Sequence, residues 1–323
     1  MTTAKQDPIQ GGKRAAIIGG GVIGASWAAL FLANGLKVII SDPDPAIETK
    51  VKATIETAIP SLAAMGYDTA DLTANLSFGS DTASAVADAD IVQECGPERL
   101  DFKRSLWKLV EEAAPKDALL CSSSSTIPAS VQSDQMTDKA RLIIGHPFNP
   151  PHLMPLVEIV PTLATDPAVT AKALEFYQSV GKVPREIRKE VTGFVANRLQ
   201  AAIFRESVYL VSEGVVELDE LDDIMTNSLG IRWATSGPFL SFHLGGGAGG
   251  LRHFLEQFGP PTEASWKVLG QPKLDEATKA LLIAQVDATY GKSAFKDLAE
   301  TRDAKEIAVI NGLAGIDRAS HEG

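Results

Sequence analysis

The chain has 323 residues, of which 45% are hydrophobic and 22% charged, with a net charge of −11 and a pI near 5.0. This balance is typical of a globular protein and excludes the disordered and fibrous classes, while the length favours two domains. The acidic balance and the lack of a lysine or arginine cluster argue against a nucleic-acid or membrane partner. Two cysteines without metal-ligand spacing predict reduced thiols and no metal site.

The N-terminal stretch, MTTAKQDPIQGGK, contains no apolar segment of the kind that directs secretion, so we expect a cytoplasmic protein. The most apolar stretch covers residues 15–35, and three consecutive glycines interrupt it. A buried strand, turn and helix explain that stretch better than a membrane span.

Short apolar runs alternate with longer helical patterns through the first 190 residues, an order that predicts a parallel sheet covered by helices. The predicted strands are Arg14–Ile18, Lys37–Ser41, Ala89–Glu94, Leu119–Cys121, Leu142–Gly145 and Leu156–Val160. The helical patterns include Gly24–Asn34, Asp101–Ala113, Gly193–Ser212 and Leu218–Leu229. Because the strand-like runs stop near Glu190, we expect a sheet domain over residues 1–190 and an all-helical domain over residues 191–323.

The first chemical motif, GGGVIG, follows the first predicted strand and opens the first predicted helix. Gly19, Gly21 and Gly24 match the pattern G-x-G-x-x-G. The first glycine permits a tight turn, the second lets the backbone approach a pyrophosphate, and the third packs the helix on the strand. Val22 and Ile23 lie in the same turn, where the helix N-terminus favours phosphate charge. The motif in this context predicts a doubly wound, Rossmann-type dinucleotide-binding domain.

Asp42 ends the second predicted strand, about 20 residues after the first glycine of the motif. A carboxylate in that position accepts hydrogen bonds from the ribose 2′- and 3′-hydroxyls of a dinucleotide. No arginine follows Asp42 immediately, so a 2′-phosphate would meet negative charge without a counter-ion. The sequence therefore predicts NAD rather than NADP as the cofactor.

Polar residues also follow two later predicted strands, since Ser122–Ser125 come after the fourth and His146 comes after the fifth. The carboxyl ends of parallel strands meet at one edge of a sheet, where ligands bind. We therefore expect these residues to share an edge with Gly19 and Asp42. Taken singly, the serines are explained by a flexible loop and the histidine by a structural role.

Glu158 interrupts the apolar run LVEIV and shares one face of its predicted strand with Leu156 and Val160. A buried carboxylate needs a partner, and His146 is the candidate, across a loop stiffened by prolines. A carboxylate that holds one imidazole nitrogen leaves the other free to accept a hydroxyl proton. The pair predicts a dehydrogenase dyad. The alternative is an exposed Glu158 on an edge strand with His146 as an ordinary loop residue.

Five motifs occur in the order GGGVIG, ECGPERLDFKRSLW, SSSST, GHPFNPPHLMPLVE and GFVANRLQ. Over roughly residues 14 to 315 they resemble the L-3-hydroxyacyl-CoA dehydrogenase family, in particular its branch acting on free hydroxy acids such as L-carnitine and L-gulonate. The resemblance implies that His146 is the catalytic histidine, oriented by Glu158. It also implies substrate-hydroxyl contacts at Ser125 and Asn197, a place for Glu98 near the cofactor, and a homodimer formed through the helical domain.

The residue pattern alone also makes Asn197 a candidate site residue, because it interrupts an apolar helical stripe. The stripe consists of Phe194, Asn197, Ala201, Phe204 and Val208. An amide in such a stripe is either satisfied by a neighbouring group or placed for a ligand.

Departures from the family pattern bear on the substrate. Members that use CoA typically read HFFNPVPVMKLVE, whereas Pro147 and Pro155 replace the aromatic residue and the lysine here, which disfavours CoA thioesters. Residues 231–260 resemble the corresponding part of the carnitine-oxidising members. Trp233, Phe239 and Phe242 in this segment are expected to offer their ring faces to a trimethylammonium group. Arg232, or Arg198 earlier in the chain, is expected to bind a carboxylate. The alternative for these aromatic residues is a core or dimer contact.

We therefore expect an NAD-dependent oxidation of a small L-3-hydroxy acid to its 3-keto acid. L-carnitine, giving 3-dehydrocarnitine, is the first expected substrate and L-gulonate the second. A 3-hydroxyacyl-CoA substrate, or a non-catalytic crystallin-like or NAD-sensing protein, are the alternatives. The glycine-rich segment at residues 245–250 lacks the ending of a phosphate loop and is predicted to be a flexible lid or linker.

Overall fold

The computed structural model describes the backbone of residues 12–321 and the side chains of residues 12–316. Eight strands form one sheet. They are β1 (Arg14–Ile18), β2 (Lys37–Ser41), β3 (Leu76–Phe78), β4 (Ile91–Glu94), β5 (Leu119–Ser122), β6 (Leu142–Pro147), β7 (Leu156–Val160) and β8 (Val183–Glu186). Their order across the sheet is β3-β2-β1-β4-β5-β6-β7-β8.

Six helices accompany the strands and seven follow them. The first six are α1 (Val22–Ala33), α2 (Ile47–Ala64), α3 (Thr82–Val86), α4 (Leu100–Ala113), α5 (Ala129–Gln132) and α6 (Pro167–Ser179). The other seven are α7 (Ala196–Ser212), α8 (Leu218–Asn227), α9 (Leu229–Thr235), α10 (Gly237–Gly245), α11 (Gly250–Trp266), α12 (Glu276–Thr289) and α13 (Phe295–His321). Among the described residues, no helix is long and apolar enough to cross a membrane.

The sheet is doubly wound around β1, which pairs with β2 on one side and with β4 on the other. Alternate residues of β1 enter the two apolar layers that cover the faces of the sheet. Ala15 and Ile17 belong to one layer, and Ala16 and Ile18 belong to the other. The strand order reverses at β1, and ligands of such sheets bind at that reversal, outside the carboxyl ends of the strands. The Rossmann-type fold predicted from the sequence is confirmed.

The sheet differs from the prediction in the direction of its last strands. β6 and β7 are antiparallel, while β7 and β8 are parallel to each other. The apolar pattern predicts neither β3 nor β8. β3 has three residues and is incompletely buried, and β8 reads VPRE, in which a proline and two charged residues obscure the apolar pattern.

The chain forms two compact units. Among the described residues, one unit consists of residues 12–197 and 317–321, and the other consists of Arg198–Ile316. The sheet, its six helices and the start of α7 lie in the first unit, and the second unit is helical.

Candidate active site

The glycine turn between β1 and α1 is here called the glycine cradle. It has no room for side chains at Gly19 and Gly24. Gly19 has φ of +97°, and a Cβ atom there would lie 2.7 Å from the carbonyl oxygen of Cys95. A Cβ atom at Gly24 would collide with the carbonyl oxygen of Gly19. Gly21 caps α1 and is open, because a Cβ atom there would meet no atom within 4 Å. Backbone amides at a helix N-terminus beside open space fit a pyrophosphate.

The remaining residues of this motif flank the cradle. Val22 is 66% exposed, whereas Ile23 packs partly against the core. Asp42 follows β2, and its two carboxylate oxygens accept hydrogen bonds from the amides of Gly20, at 2.8 Å, and Asp44, at 2.9 Å. The half-buried carboxylate therefore lies beside the glycine turn. A phosphate cradle next to an acceptor for a ribose diol fits NAD.

Replacing Asp42 by alanine is expected to weaken NAD binding about tenfold to a hundredfold, since hydrogen bonds to a charged group are each worth about 1.5–3 kcal/mol. Relative use of NADP is expected to rise, because the carboxylate no longer repels a 2′-phosphate. The measurement is the ratio of kcat/KM for NAD and NADP. Asp88→Ala is the control, because its exposed carboxylate pairs with Arg14 at the opposite end of β1. An unchanged ratio in Asp42→Ala would show that Asp42 does not contact the ribose.

His146 and Glu158 form a buried hydrogen-bonded pair across neighbouring strands. The register of β6 and β7 places them directly opposite each other, with Nδ1 of His146 2.9 Å from Oε2 of Glu158. His146 is 4% exposed and Glu158 is 1% exposed. The prediction placed His146 just beyond a strand. It lies instead inside β6, and the antiparallel pairing brings the two side chains together.

The second oxygen of Glu158 is bound at the start of α7. Oε1 accepts hydrogen bonds from the amides of Val195, at 2.9 Å, and Ala196, at 3.0 Å. Burial raises the pKa of Glu158, but the hydrogen bonds from His146 and from these two amides outweigh burial and lower the pKa below its ordinary 4.5. The ionised carboxylate accepts the proton of Nδ1, which leaves Nε2 of His146 as a proton acceptor.

Two aromatic rings surround the imidazole of His146. Phe148 approaches it edge-on with ring centroids 4.9 Å apart, and the buried Phe194 lies at 5.4 Å. Such contacts limit rotation of the imidazole, which a base that must meet one substrate atom requires.

A buried lysine binds the loop between β6 and β7. Lys182 donates hydrogen bonds to the carbonyl oxygens of Pro151 and Met154, the second at 2.7 Å, and its ammonium group lies 5.4 Å from the ring of Trp27. Burial lowers the pKa of Lys182 from 10.5 to about 7. Sequence reasoning missed this residue, because a lysine followed by a short strand carries no pattern that indicates burial.

The stability of the protein is therefore expected to depend on pH through Lys182. Between pH 7 and 10.5 the unfolded chain holds a proton on this lysine that the folded chain has lost, so the wild type gains stability as pH rises. Lys182→Met removes this gain. The measurement is the denaturation midpoint of both proteins across that window, with the exposed Lys172→Met as control. A stability difference that does not change with pH would contradict the expectation.

Glu98 binds the serine loop that follows β5. Its carboxylate accepts hydrogen bonds from the amide of Ser125, at 2.9 Å, and the hydroxyl of Ser124, at 2.8 Å. Burial raises the pKa of Glu98, but attraction to Lys103 and these hydrogen bonds outweigh burial and lower it. β5 pairs with β6, so the half-buried Ser125 follows the strand next to the one that carries His146.

A buried ion pair that was not predicted from the sequence lies next to Glu98. The ammonium group of Lys103 is 2.7 and 2.8 Å from the carboxylate oxygens of Glu94, and both side chains are at most 1% exposed. Ser122 donates to the same carboxylate at 2.6 Å, and Lys103 is also 3.4 Å from Glu98. The only signal was the density of charged residues in ECGPERLDFK, which did not indicate which of them pair.

Asn197 lies in the first turn of α7 and is half-buried. The apolar stripe predicted around it is wrong at Phe194, which precedes the helix. The other positions keep helical spacing within α7, where Ala201 and Phe204 are exposed and Val208 is buried. The irregular turn before Ala196 shifts the start of the helix, so the spacing counted from Phe194 does not follow helical geometry.

The residues predicted to contact the substrate's charged groups lie in the second unit. Arg198 belongs to α7, Arg232 and Trp233 to α9, and Phe239 and Phe242 to α10. Phe242 packs on the ring of another phenylalanine, 254, with centroids 4.7 Å apart, while Phe239 is 78% exposed. Among the described aromatic contacts, none joins these three aromatic residues into a cage.

The glycine-rich segment 245–250 joins α10 to α11 through a short 3₁₀ turn, Gly247–Gly249. Gly247 and Gly250 both have φ of +62°, which the absence of a Cβ atom permits.

Comparisons with known proteins identify relatives over nearly the whole chain. The family model described as the NAD binding domain of 3-hydroxyacyl-CoA dehydrogenase matches residues 14–191, and the model of the C-terminal domain matches residues 193–280. An L-carnitine dehydrogenase from Streptomyces griseus is 39% identical over 96% of this chain and 92% of its own length. A 3-hydroxyacyl-CoA dehydrogenase from Gibberella moniliformis is 44% identical over 89% of this chain and 91% of its own length.

Among solved structures, an NAD⁺-dependent 5-formyl-3-hydroxy-2-methylpyridine 4-carboxylic acid 5-dehydrogenase has a TM-score of 0.79 and 26% identity. The alignment covers 94% of this chain and 99% of that one. Both domain models match in order, and curated relatives align over nearly the whole chain. The protein therefore belongs to the 3-hydroxyacyl-CoA dehydrogenase family and is an NAD-dependent dehydrogenase.

Proposed function

We propose that the protein oxidises L-carnitine to 3-dehydrocarnitine, with His146 as the catalytic base. The observation that carries this proposal is the buried pair of His146 and Glu158, in which Nδ1 is held and Nε2 can accept a proton. The named activity of relatives such as the Streptomyces griseus enzyme supports the choice of substrate.

In the proposed mechanism, Nε2 of His146 takes the proton of the 3-hydroxyl group while a hydride leaves the same carbon. NAD, when held by the glycine turn and Asp42, would accept that hydride. Glu158 keeps Nδ1 protonated and stabilises the imidazolium that forms. Ser125 and Asn197 hold the reacting oxygen as the carbon becomes a carbonyl. In the reverse direction, the imidazolium returns the proton to that oxygen.

The trimethylammonium and carboxylate groups of carnitine need separate partners in this proposal. Arg198 or Arg232 meets the carboxylate, and the ring faces of Trp233, Phe239 and Phe242 are available to a quaternary ammonium group. Phe239 is 78% exposed, and Phe242 is 46% exposed although it packs on the ring of Phe254.

A 3-hydroxyacyl-CoA is the second candidate substrate, because the Gibberella moniliformis relative with that named activity is 44% identical. Pro147 and Pro155 argue against it, since they stand where CoA-using members carry an aromatic residue and a lysine. L-gulonate is the third candidate, on the resemblance to the branch that acts on free hydroxy acids.

The test is NAD reduction with L-carnitine, L-gulonate, L-3-hydroxybutyrate and L-3-hydroxybutyryl-CoA, followed through the absorbance of NADH. L-carnitine is expected to give the highest kcat/KM, and D-carnitine, whose hydroxyl has the opposite configuration, is the matched control. Reaction of the CoA ester alone would overturn the substrate assignment. NADH binding without any turnover would favour a non-catalytic NAD-sensing or crystallin-like protein.

We also propose that two copies of the chain associate through the helical unit. In Arg198–Ile316, which the structure describes completely, the buried apolar side chains are Val208, Val211 and Ala314. A helical unit of this size needs a larger core than that. Exposed apolar side chains of the unit include Leu244, Leu255, Phe258, Trp266 and Ile283. Light scattering is expected to give twice the mass of one chain, and a monomer would contradict the proposal.

A cytoplasmic location is proposed on chemical grounds. Cys95 and Cys121 are free thiols, which a reducing compartment preserves, and the reaction draws on a pool of NAD. Fractionation of cells that express the full chain tests this location.

A further inference from the structure

Phe194, two residues before the start of α7, has an unusual backbone conformation. Its φ is +48°, in the left-handed region, and it follows Gly193 with φ of +75°. Among the described residues, the other non-glycine residue with positive φ is the exposed Asp71, and aspartate tolerates this region. A bulky aromatic residue does not adopt it without support from its surroundings. The conformation therefore calls for an explanation beyond local preference.

The left-handed turn at Phe194 delivers the next two amides to Glu158. The N–H groups of Val195 and Ala196 both donate to Oε1 of Glu158. A continuous helix through residue 194 would direct these amides along the helix axis instead. The turn thus ties the oxygen of Glu158 that His146 does not use.

The side chain of Phe194 reaches the other member of the pair. Its ring is 1% exposed and lies 5.4 Å from the imidazole of His146, at an interplanar angle of 57°. It belongs to the same apolar layer as Ile144 and Val160, which pair with each other two residues from the dyad. One residue therefore contacts the histidine with its ring and fixes the carboxylate through its backbone.

We propose that Phe194 is a positioning residue for the His146–Glu158 pair. Its left-handed backbone aims two amides at Glu158, and its ring excludes water from the hydrogen bond between Nδ1 and Oε2. The role in turnover rests on the function proposed above, whereas the structural effect on the hydrogen bond does not.

The test compares Phe194→Leu with Phe194→Val. Both variants keep an apolar side chain, but a β-branched residue tolerates positive φ less well than leucine does. The first readout is the far-downfield proton resonance of Nδ1–H, assigned among the five histidines by its loss in His146→Gln. The second is kcat for L-carnitine oxidation, together with KM for NAD. Val191→Ala is the matched control, because its side chain is exposed and lies three residues before Phe194.

The wild type, Phe194→Leu and Val191→Ala are expected to show the resonance and to have kcat values within about threefold of one another. Phe194→Val is expected to lose the resonance to exchange with water and to lose at least about tenfold in kcat, with KM for NAD unchanged. If Phe194→Val does not fold, Phe194→Gly replaces it, since glycine adopts the turn freely but lacks the ring, and the same loss is expected.

Equal resonances and equal kcat values in the leucine and valine variants would overturn the proposal, as would a Phe194→Gly protein that keeps both. A wild type that oxidises none of the hydroxy acids would reject the proposed function alone, because the proton resonance is measured without substrate.

Discussion

Replacing His146 by glutamine is expected to lower kcat for hydroxy-acid oxidation by about two to four orders of magnitude, the usual contribution of a positioned base. Glutamine has a similar reach and fills much of the same space, but its amide does not accept a proton at neutral pH. NADH affinity is expected to remain close to that of the wild type, because the glycine cradle and Asp42 lie at β1 and β2. The measurements are steady-state kinetics and fluorescence titration with NADH.

His253→Gln is the control for this change, since His253 is exposed on α11 in the helical unit. It is expected to keep wild-type kcat. A His146→Gln protein with near-normal turnover would remove the imidazole from the mechanism. Loss of NADH binding in the same variant would show instead that the substitution disturbs the sheet.

Replacing Glu158 by glutamine is expected to lower kcat by about two orders of magnitude or more, by analogy with loss of the carboxylate that orients histidine in other enzymes. The neutral amide no longer stabilises the imidazolium, and its N–H₂ group can donate to Nδ1, which selects the wrong tautomer. The two amides at the start of α7 also lose a charged acceptor. Glu186→Gln, at an exposed glutamate on the neighbouring β8, is the matched control.

Glu158→Gln is also expected to change how the stability of the protein depends on pH. The pKa of Glu158 is lowered in the folded protein, so its contribution to stability is present above the unfolded value of 4.5 and is lost as pH falls through the folded value. The stability gap between wild type and Glu158→Gln is therefore expected to be largest at neutral pH and to narrow on acidification. Denaturation at several pH values measures it, and a gap that widens in acid would contradict the direction of the shift.

The sheet was largely predictable because its central strands are buried on both faces. Runs such as Arg14–Ile18 and Lys37–Ser41 are apolar, bounded by turns, and match β1 and β2 residue for residue. The reversal of β7 was not predictable in the same way. Direction depends on the loop that connects two strands, and the pattern of LVEIV is the same for a parallel and an antiparallel strand.

Within the candidate site, the sequence led to the pair of His146 and Glu158 by chemical reasoning, since a carboxylate in an apolar strand requires a partner. Lys103, Lys182 and Phe194 were not singled out, because their roles arise from contacts between distant segments. The sequence does not distinguish a buried lysine from a surface lysine. It also does not distinguish a phenylalanine with a left-handed backbone conformation from any other apolar residue. Such contacts become visible only when the fold brings their partners together.

The most direct test of the claim that His146 and Glu158 act together on the hydroxyl proton is a double-mutant cycle. It compares kcat for L-carnitine oxidation in the wild type, His146→Gln, Glu158→Gln and the double variant. Because Glu158 contacts the imidazole and acts on the hydroxyl only through it, the double variant is expected to lose about as much kcat as His146→Gln alone. Losses that multiply in the double variant would show that the two residues act independently and would contradict the claim.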